Sequence, residues 1–135
     1  MLENFGIGID IIDISRFQEK IFDSNKSFYE KIFNSSEIQY CLNKKNSYQS
    51  FATKFAIKES VIKCLNNPIN FLDIQTDHEN EKPIVKLLNN SSYRFLVSVS
   101  HEKSHAIAIV ISKKFIGLLR HLITDSLIAN FVEND

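Results

Sequence analysis

The chain has 135 residues, one domain's worth. Sixteen Lys and Arg balance sixteen Asp and Glu, so the basic surplus of a dedicated nucleic-acid binder is absent. At 44% hydrophobic and 11% aromatic, with only three Gly and two Pro, the chain is neither disordered nor collagenous nor linker-like.

Residues 4–12 read as a strand. Ile7, Ile9 and Ile11 point one way, and Gly6, Gly8, Asp10 and Ile12 the other. Ser15 followed by Gln18, and Ser27 followed by Glu30, are capping-box patterns. They predict two helical segments divided near Ser24–Asn25. Ser35 and Ser36 before Glu37 predict a short helix to about Lys44. Residues 49–65 carry the strongest helical pattern, ended by Asn66-Asn67-Pro68. Short alternating runs at 71–77, 83–88, 94–100 and 105–112 predict strands of one antiparallel sheet, with polar turns at 78–83 and 89–92.

From 113 to 135, apolar residues at 115, 118, 119, 122, 123, 127, 128 and 131 form a helical stripe. Arg120, His121 and Asp125 interrupt it, so it is not a membrane span, and no membrane partner is expected. The order predicts an α+β domain covering 1–135, with a core at 1–112 and a C-terminal helical extension at 113–135. Cys41 and Cys64 have neither metal-ligand nor CxxC spacing, and no leader-type sequence is visible. The expectation is a cytoplasmic protein with reduced thiols.

Three places carry candidate chemistry. Asp10 puts a carboxylate inside an Ile-rich strand, beside two glycines that leave room for close approach of a ligand or a backbone. It reads either as a metal or phosphate site, or as a strand-end group facing solvent or capping the next helix. Glu59 falls on the apolar side of its helix, near Ala52, Phe55, Ala56 and Ile62. It reads as a metal ligand or base, or as the partner of Lys63 at i+4. Lys54, Lys58 and Lys63 surround it, as a phosphate-binding set or a solvated face. The third place is Ser98-Val99-Ser100-His101-Glu102, where His101 reads as structural, as an anion ligand or as a proton shuttle. No G-x-S-x-G elbow, Walker loop or G-x-G-x-x-G is present.

Taken together, F-G-I-G-I-D-I-I-D-I-S-R-F at 5–17, F-Y-E-K-I-F-N-S-S-E-I-Q-Y-C at 28–41, F-A-T-K-F-A-I-K-E-S-V-I-K-C-L at 51–65 and V-S-V-S-H-E-K-S-H-A-I-A-I-V-I at 97–111 resemble holo-acyl-carrier-protein synthase, the small class of 4′-phosphopantetheinyl transferases. The resemblance implies a long helix packed on a small antiparallel sheet. It implies transfer of 4′-phosphopantetheine from coenzyme A to a serine of apo acyl carrier protein, releasing adenosine 3′,5′-bisphosphate, in support of fatty-acid biosynthesis. Asp10 and Glu59 match the family's Mg²⁺ ligands. Glu59, Lys63 and His101 would act in catalysis, and Lys54, Lys58, Lys63 and His101 in binding coenzyme A. Arg16 and Lys20 would receive the acidic carrier protein. The family also implies a homotrimer.

The chain departs from the family at several points. Asn66-Asn67-Pro68-Ile69-Asn70 replaces a glycine-rich segment, Lys54 replaces an arginine, and Glu81 stands where a turn glycine is usual. The departures keep a non-catalytic coenzyme A- or carrier-binding protein open as an alternative. An unrelated Mg²⁺-dependent nucleotide diphosphate hydrolase would show more acidic ligands than two.

Overall fold

The computed structural model describes residues 2–115. A strand β1 (Phe5–Asp13) is followed by three short helices, α1 (Ser15–Gln18), α2 (Lys26–Glu30) and α3 (Ser35–Leu42), and by the long α4 (Ser47–Cys64). Strands β2 (Ile74–Glu79), β3 (Lys82–Leu87), β4 (Tyr93–His101) and β5 (His105–Lys114) complete the α+β order.

The four later strands do not make one sheet. β1, β5 and β4 form an antiparallel three-stranded sheet, and β2 and β3 form a separate hairpin. β1 enters at the edge because it pairs with β5 along its whole length, from Phe5 opposite Lys113 to Asp13 opposite His105. β5 continues to Lys114, so the first two residues of the expected C-terminal extension are strand. The rest of that expected helix lies outside the described residues.

Local capping differs from the sequence expectation in three places; at α2 the cap position is Asn25, with no side-chain cap, and Ser27 lies inside the helix. Ile14, not Ser15, precedes α1, and the Asp13 carboxylate accepts from the Ser15 amide at 3.0 Å. At α3 the cap is Asn34. Its side-chain oxygen accepts from the Glu37 amide at 3.1 Å, and Glu37 accepts in return from the Asn34 amide at 3.0 Å. This is the reciprocal capping box, set one residue earlier than expected. A 3-10 turn at Phe71–Asp73 delays β2 to Ile74. β2 then runs to a two-residue turn at Asn80 and Glu81, whose φ angles are 50° and 67°. Both residues are left-handed, as a tight type I′ hairpin turn requires.

The core lies between α4, the three-stranded sheet and the short helical segment. Phe51, Ala52, Ala56, Ile57 and Val61 of α4 are buried, together with Phe17, Tyr29 and Phe33 from the helical segment. Phe17 and Phe51 stack with centroids 6.4 Å apart, and Tyr29 lies 4.6 Å from Phe51. On the three-stranded sheet, the face toward α4 is built from Gly6, Gly8, Asp10 and Ile12 with Ala106, Ala108, Val110 and Ser112. The residues are small because the helix backbone lies directly on the strand. A Cβ at Gly8 would sit 1.9 Å from the Ser60 carbonyl oxygen, and one at Gly6 would sit 2.3 Å from that of Cys64. Ser60 Oγ donates to the Ala108 carbonyl at 3.0 Å and Cys64 Sγ to that of Val110 at 3.1 Å, closing the contact.

The close approach makes Gly8 intolerant of any side chain. Gly8→Ala is expected to lower unfolding free energy by about 3 kcal/mol, read from urea melts. Glu81 holds a backbone conformation that costs a non-glycine residue about 1 kcal/mol. Glu81→Gly is therefore expected to raise the unfolding free energy by about that much, read as a higher urea midpoint, and an unchanged or lowered midpoint would contradict it.

Candidate active site

β1 and α4 together position the first candidate pair. Asp10 lies on the β1 face that carries the two glycines, in the cross-strand row with Ala108 and Val99. Glu59 precedes Ser60, the residue whose carbonyl touches Gly8, so it emerges from α4 at the same seam. Asp10 retains 16% side-chain exposure, and Glu59 is half-buried. Burial raises the Glu59 pKa, and the negative charge of Asp10 raises it further; Lys63 and Arg16 oppose the shift. Two carboxylates at one seam repel each other, and a cation between them relieves both.

Lys63 already sits against one of them. Its ammonium donates to Asp10 Oδ1 at 3.1 Å and to the Ile9 carbonyl at 2.9 Å. The i+4 pairing with Glu59 that the sequence allowed is thus replaced by a bond across to the strand. The contact is half-exposed, with Lys63 at 51%, so it holds Asp10 only weakly.

A cation fits this seam by the chemistry of its donors. Both groups are hard carboxylate oxygens, and an ammonium already stands beside one of them. Among the described residues no third His, Cys, Asp or Glu joins them. Two carboxylates that leave the other positions to phosphates and water are the donor set Mg²⁺ takes.

Lys54 and Lys58 do not face this seam; both ammonium groups end on partners inside the fold. Lys58 is fully buried, and its three protons are all committed: to the Ile32 carbonyl at 2.8 Å, Glu37 Oε1 at 2.7 Å and the Phe71 carbonyl at 2.9 Å. No donor remains for a ligand. Lys54, 3% exposed, donates to Thr76 Oγ1 at 3.0 Å and lies over the Tyr40 ring. Glu37 Oε2 accepts from both the amide and the hydroxyl of Thr76. The result is a buried chain from Lys54 through Thr76 and Glu37 to Lys58. Burial lowers the pKa of both lysines, and Glu37 opposes the fall at each. Sequence reasoning missed Glu37 and Thr76. The capping position of Glu37 was a visible signal, but its second role depends on an approach of α4 and β2 that no local pattern encodes.

The other candidates lie around the rim. His101 ends β4, exposed, in the row with Ala106 and Ile12. It shares the face of Asp10 but stands two strands away, about 10 Å across the sheet. The structure therefore does not bring it to the carboxylates. Arg16, exposed on α1, places its guanidinium 5.3 Å over the Phe55 ring, and Glu59 feels its charge. Lys20 lies past the end of α1 rather than on its face, with its ammonium 5.1 Å over Phe28. Asn67, Pro68, Ile69 and Asn70, in place of the glycine-rich segment, line a cleft of about 270 Å³ with Leu65 and Tyr93.

A strand carboxylate and a helix carboxylate share a glycine seam in this α+β protein, with a lysine one turn on. The family profile described as the 4′-phosphopantetheinyl transferase superfamily matches residues 6–110, and the chain belongs to that family. Over 54 residues it is 46% identical to a holo-[acyl-carrier-protein] synthase of Geotalea daltonii, covering 40% of this chain and 43% of that protein. Over 53 residues it is 49% identical to the synthase of Cytophaga hutchinsonii, covering 39% and 41%. These matches thus span less than half the length of the curated relatives.

The fold extends the likeness. A Bacillus anthracis holo-(acyl-carrier-protein) synthase in complex with CoA (3′,5′-ADP) superposes with a TM-score of 0.70 at 28% identity, covering 81% of this chain and 96% of that one. The Helicobacter pylori synthase in complex with coenzyme A gives 0.68 at 30%, covering 79% and 99%.

Breaking the buried ion pair leaves an uncompensated charge. Lys58→Met is expected to destabilise by about 3–5 kcal/mol in chemical denaturation, with the Lys58→Met/Glu37→Leu pair recovering much of the loss. A single variant as stable as the parent would show that the pair contributes nothing.

Proposed function

We propose that the protein transfers 4′-phosphopantetheine from coenzyme A to a serine hydroxyl of an apo acyl carrier protein. The observation that carries this is the convergence of Asp10 and Glu59 at the β1–α4 seam, with Lys63 beside them. The likeness to synthases solved with coenzyme A supports the choice of donor. The serine oxygen attacks the phosphorus that bears pantetheine. The P–O bond to the second phosphate breaks, and adenosine 3′,5′-bisphosphate leaves with the bridging oxygen.

Asp10 and Glu59 would hold Mg²⁺, which when bound supplies charge neutralisation for the diphosphate and its leaving oxygen. Lys63 adds a positive point charge to the same phosphates. The serine proton passes to a base in this cluster, either Glu59 or a water that it holds. His101, two strands away, is assigned to binding the long donor rather than to proton transfer. Arg16 and Lys20, both exposed, are assigned to the acidic carrier protein.

A non-catalytic binding protein has no use for two repelling carboxylates at one seam, and this favours the enzyme. No helix among the described residues is long and apolar enough to cross a membrane. Cys41 and Cys64 are both free, which supports a reducing, cytoplasmic setting.

Among the described residues nothing covers the outer side of the three-stranded sheet, and this supports a homotrimer. Ile7, Ile9 and Ile11 are 66%, 54% and 64% exposed, and Ile109, Ile111 and Leu96 continue the same face. A contiguous apolar surface of this kind marks an interface. Ile9→Glu is expected to shift sedimentation from trimer toward monomer and to lower activity. An assembly that sediments unchanged would remove the sheet from the interface.

The direct test is intact-mass spectrometry of an apo carrier protein after incubation with enzyme, coenzyme A and Mg²⁺. A gain of one phosphopantetheine, about 340 Da from the group's formula, is expected with the parent enzyme and is lost with chelator. Asp10→Asn and Glu59→Gln are each expected to lower the rate at least about 100-fold with the melting temperature retained. Coenzyme A consumed without a carrier protein would instead identify a hydrolase.

A further inference from the structure

We propose that Lys63 is a positioning residue that couples metal binding to donor binding. This inference rests on the transferase reading given above. The Lys63 ammonium stands against Asp10, at 3.1 Å from Oδ1, and is held there by the Ile9 carbonyl at 2.9 Å, where it neutralises one of the two carboxylates. A metal that takes Asp10 Oδ1 competes with it for that oxygen. The diphosphate of the donor offers Lys63 an alternative anion on the same side, frees Asp10, and so raises the affinity for metal.

Three features support the exchange. Lys63 is 51% exposed, on a flexible four-carbon stem, so it can leave without opening the core. Its contacts are one carboxylate oxygen and one backbone carbonyl, whereas Lys58, with three buried acceptors, is fixed in place. Glu59 receives no hydrogen bond from Lys63, so one of the two carboxylates stays open to a cation while the other is covered. Coupling of this kind is reciprocal: metal must raise the affinity for the donor by the same factor that the donor raises it for metal.

The test uses Mn²⁺ as a spectroscopic probe, with free Mn²⁺ followed by electron paramagnetic resonance and corrected for Mn²⁺ held by coenzyme A alone. Affinity is measured with and without saturating coenzyme A, in the parent enzyme, Lys63→Gln and Arg16→Gln. Arg16→Gln is the control, because it removes a positive charge that Glu59 also feels without removing a contact to Asp10. Lys63→Gln is expected to bind Mn²⁺ without coenzyme A about fivefold more tightly than Arg16→Gln does, the upper range for one exposed ion pair. The enhancement by coenzyme A should shrink by a similar factor in Lys63→Gln and persist in Arg16→Gln. Equal affinities in the two variants, or an undiminished enhancement in Lys63→Gln, would overturn the coupling while leaving the metal site intact. Failure of the parent enzyme to bind Mn²⁺ even with coenzyme A would overturn the metal site and the coupling together. The melting temperature of Lys63→Gln should match the parent's, because the side chain lies outside the core.

Discussion

The distance between two backbones governs the functional end of this protein. α4 lies on β1 at a separation that only glycine permits, with the Ser60 and Cys64 carbonyls where the Cβ atoms of residues 8 and 6 would be. Asp10 follows two residues after Gly8, and Glu59 precedes Ser60, so the contact that seats the helix also brings the carboxylates together. A strand with ordinary side chains at 6 and 8 would hold α4 farther off and separate them. The glycines are therefore filled by the protein's own helix rather than by a ligand.

The rest of α4 is held by polar groups in unusual number for a core. Lys54 and Lys58 project from α4 into the interior and end on Thr76, Glu37 and two backbone carbonyls. Such groups are costly to bury and are tolerated only when fully satisfied. They tie α4 to α3, to the turn before β2 and to β2 itself, which hydrophobic contacts alone would leave free to slide. The sequence K-E in α4 thus divides its work between neighbours: Lys58 faces inward and anchors, while Glu59 faces the seam.

The three-stranded sheet has an inverted division of labour. Along β1 and β5 the mostly small residues face the helix, with Ile12 closing the row, while Ile7, Ile9, Ile11, Ile109 and Ile111 face outward. At Gly6 and Gly8 the inward side has no room for a side chain because the helix backbone fills it. The outward side is left broad and apolar, and burying it against other copies would offset the small core that a chain of this length can build.

Much of this was legible in the sequence. The alternation of 5–12 and the run of 49–65 were read from local periodicity, because a strand or helix imposes its own repeat on the residues that form it, whereas the pairing of Asp10 with Glu59 came from the family resemblance. The α+β order followed from the sequence of those elements. The partner of each side chain was not legible. Lys63 bonds to Asp10 rather than to Glu59 four residues away, and Lys58 turns to Glu37 rather than to phosphate, because each choice depends on segments far apart in the chain. The division of the strands into a three-stranded sheet and a separate hairpin had the same cause: β1, the first element, takes the edge beside β5, the last one described. Sequence by itself set which residues share a face; only the tertiary structure decided which face is covered, since that depends on what packs against it.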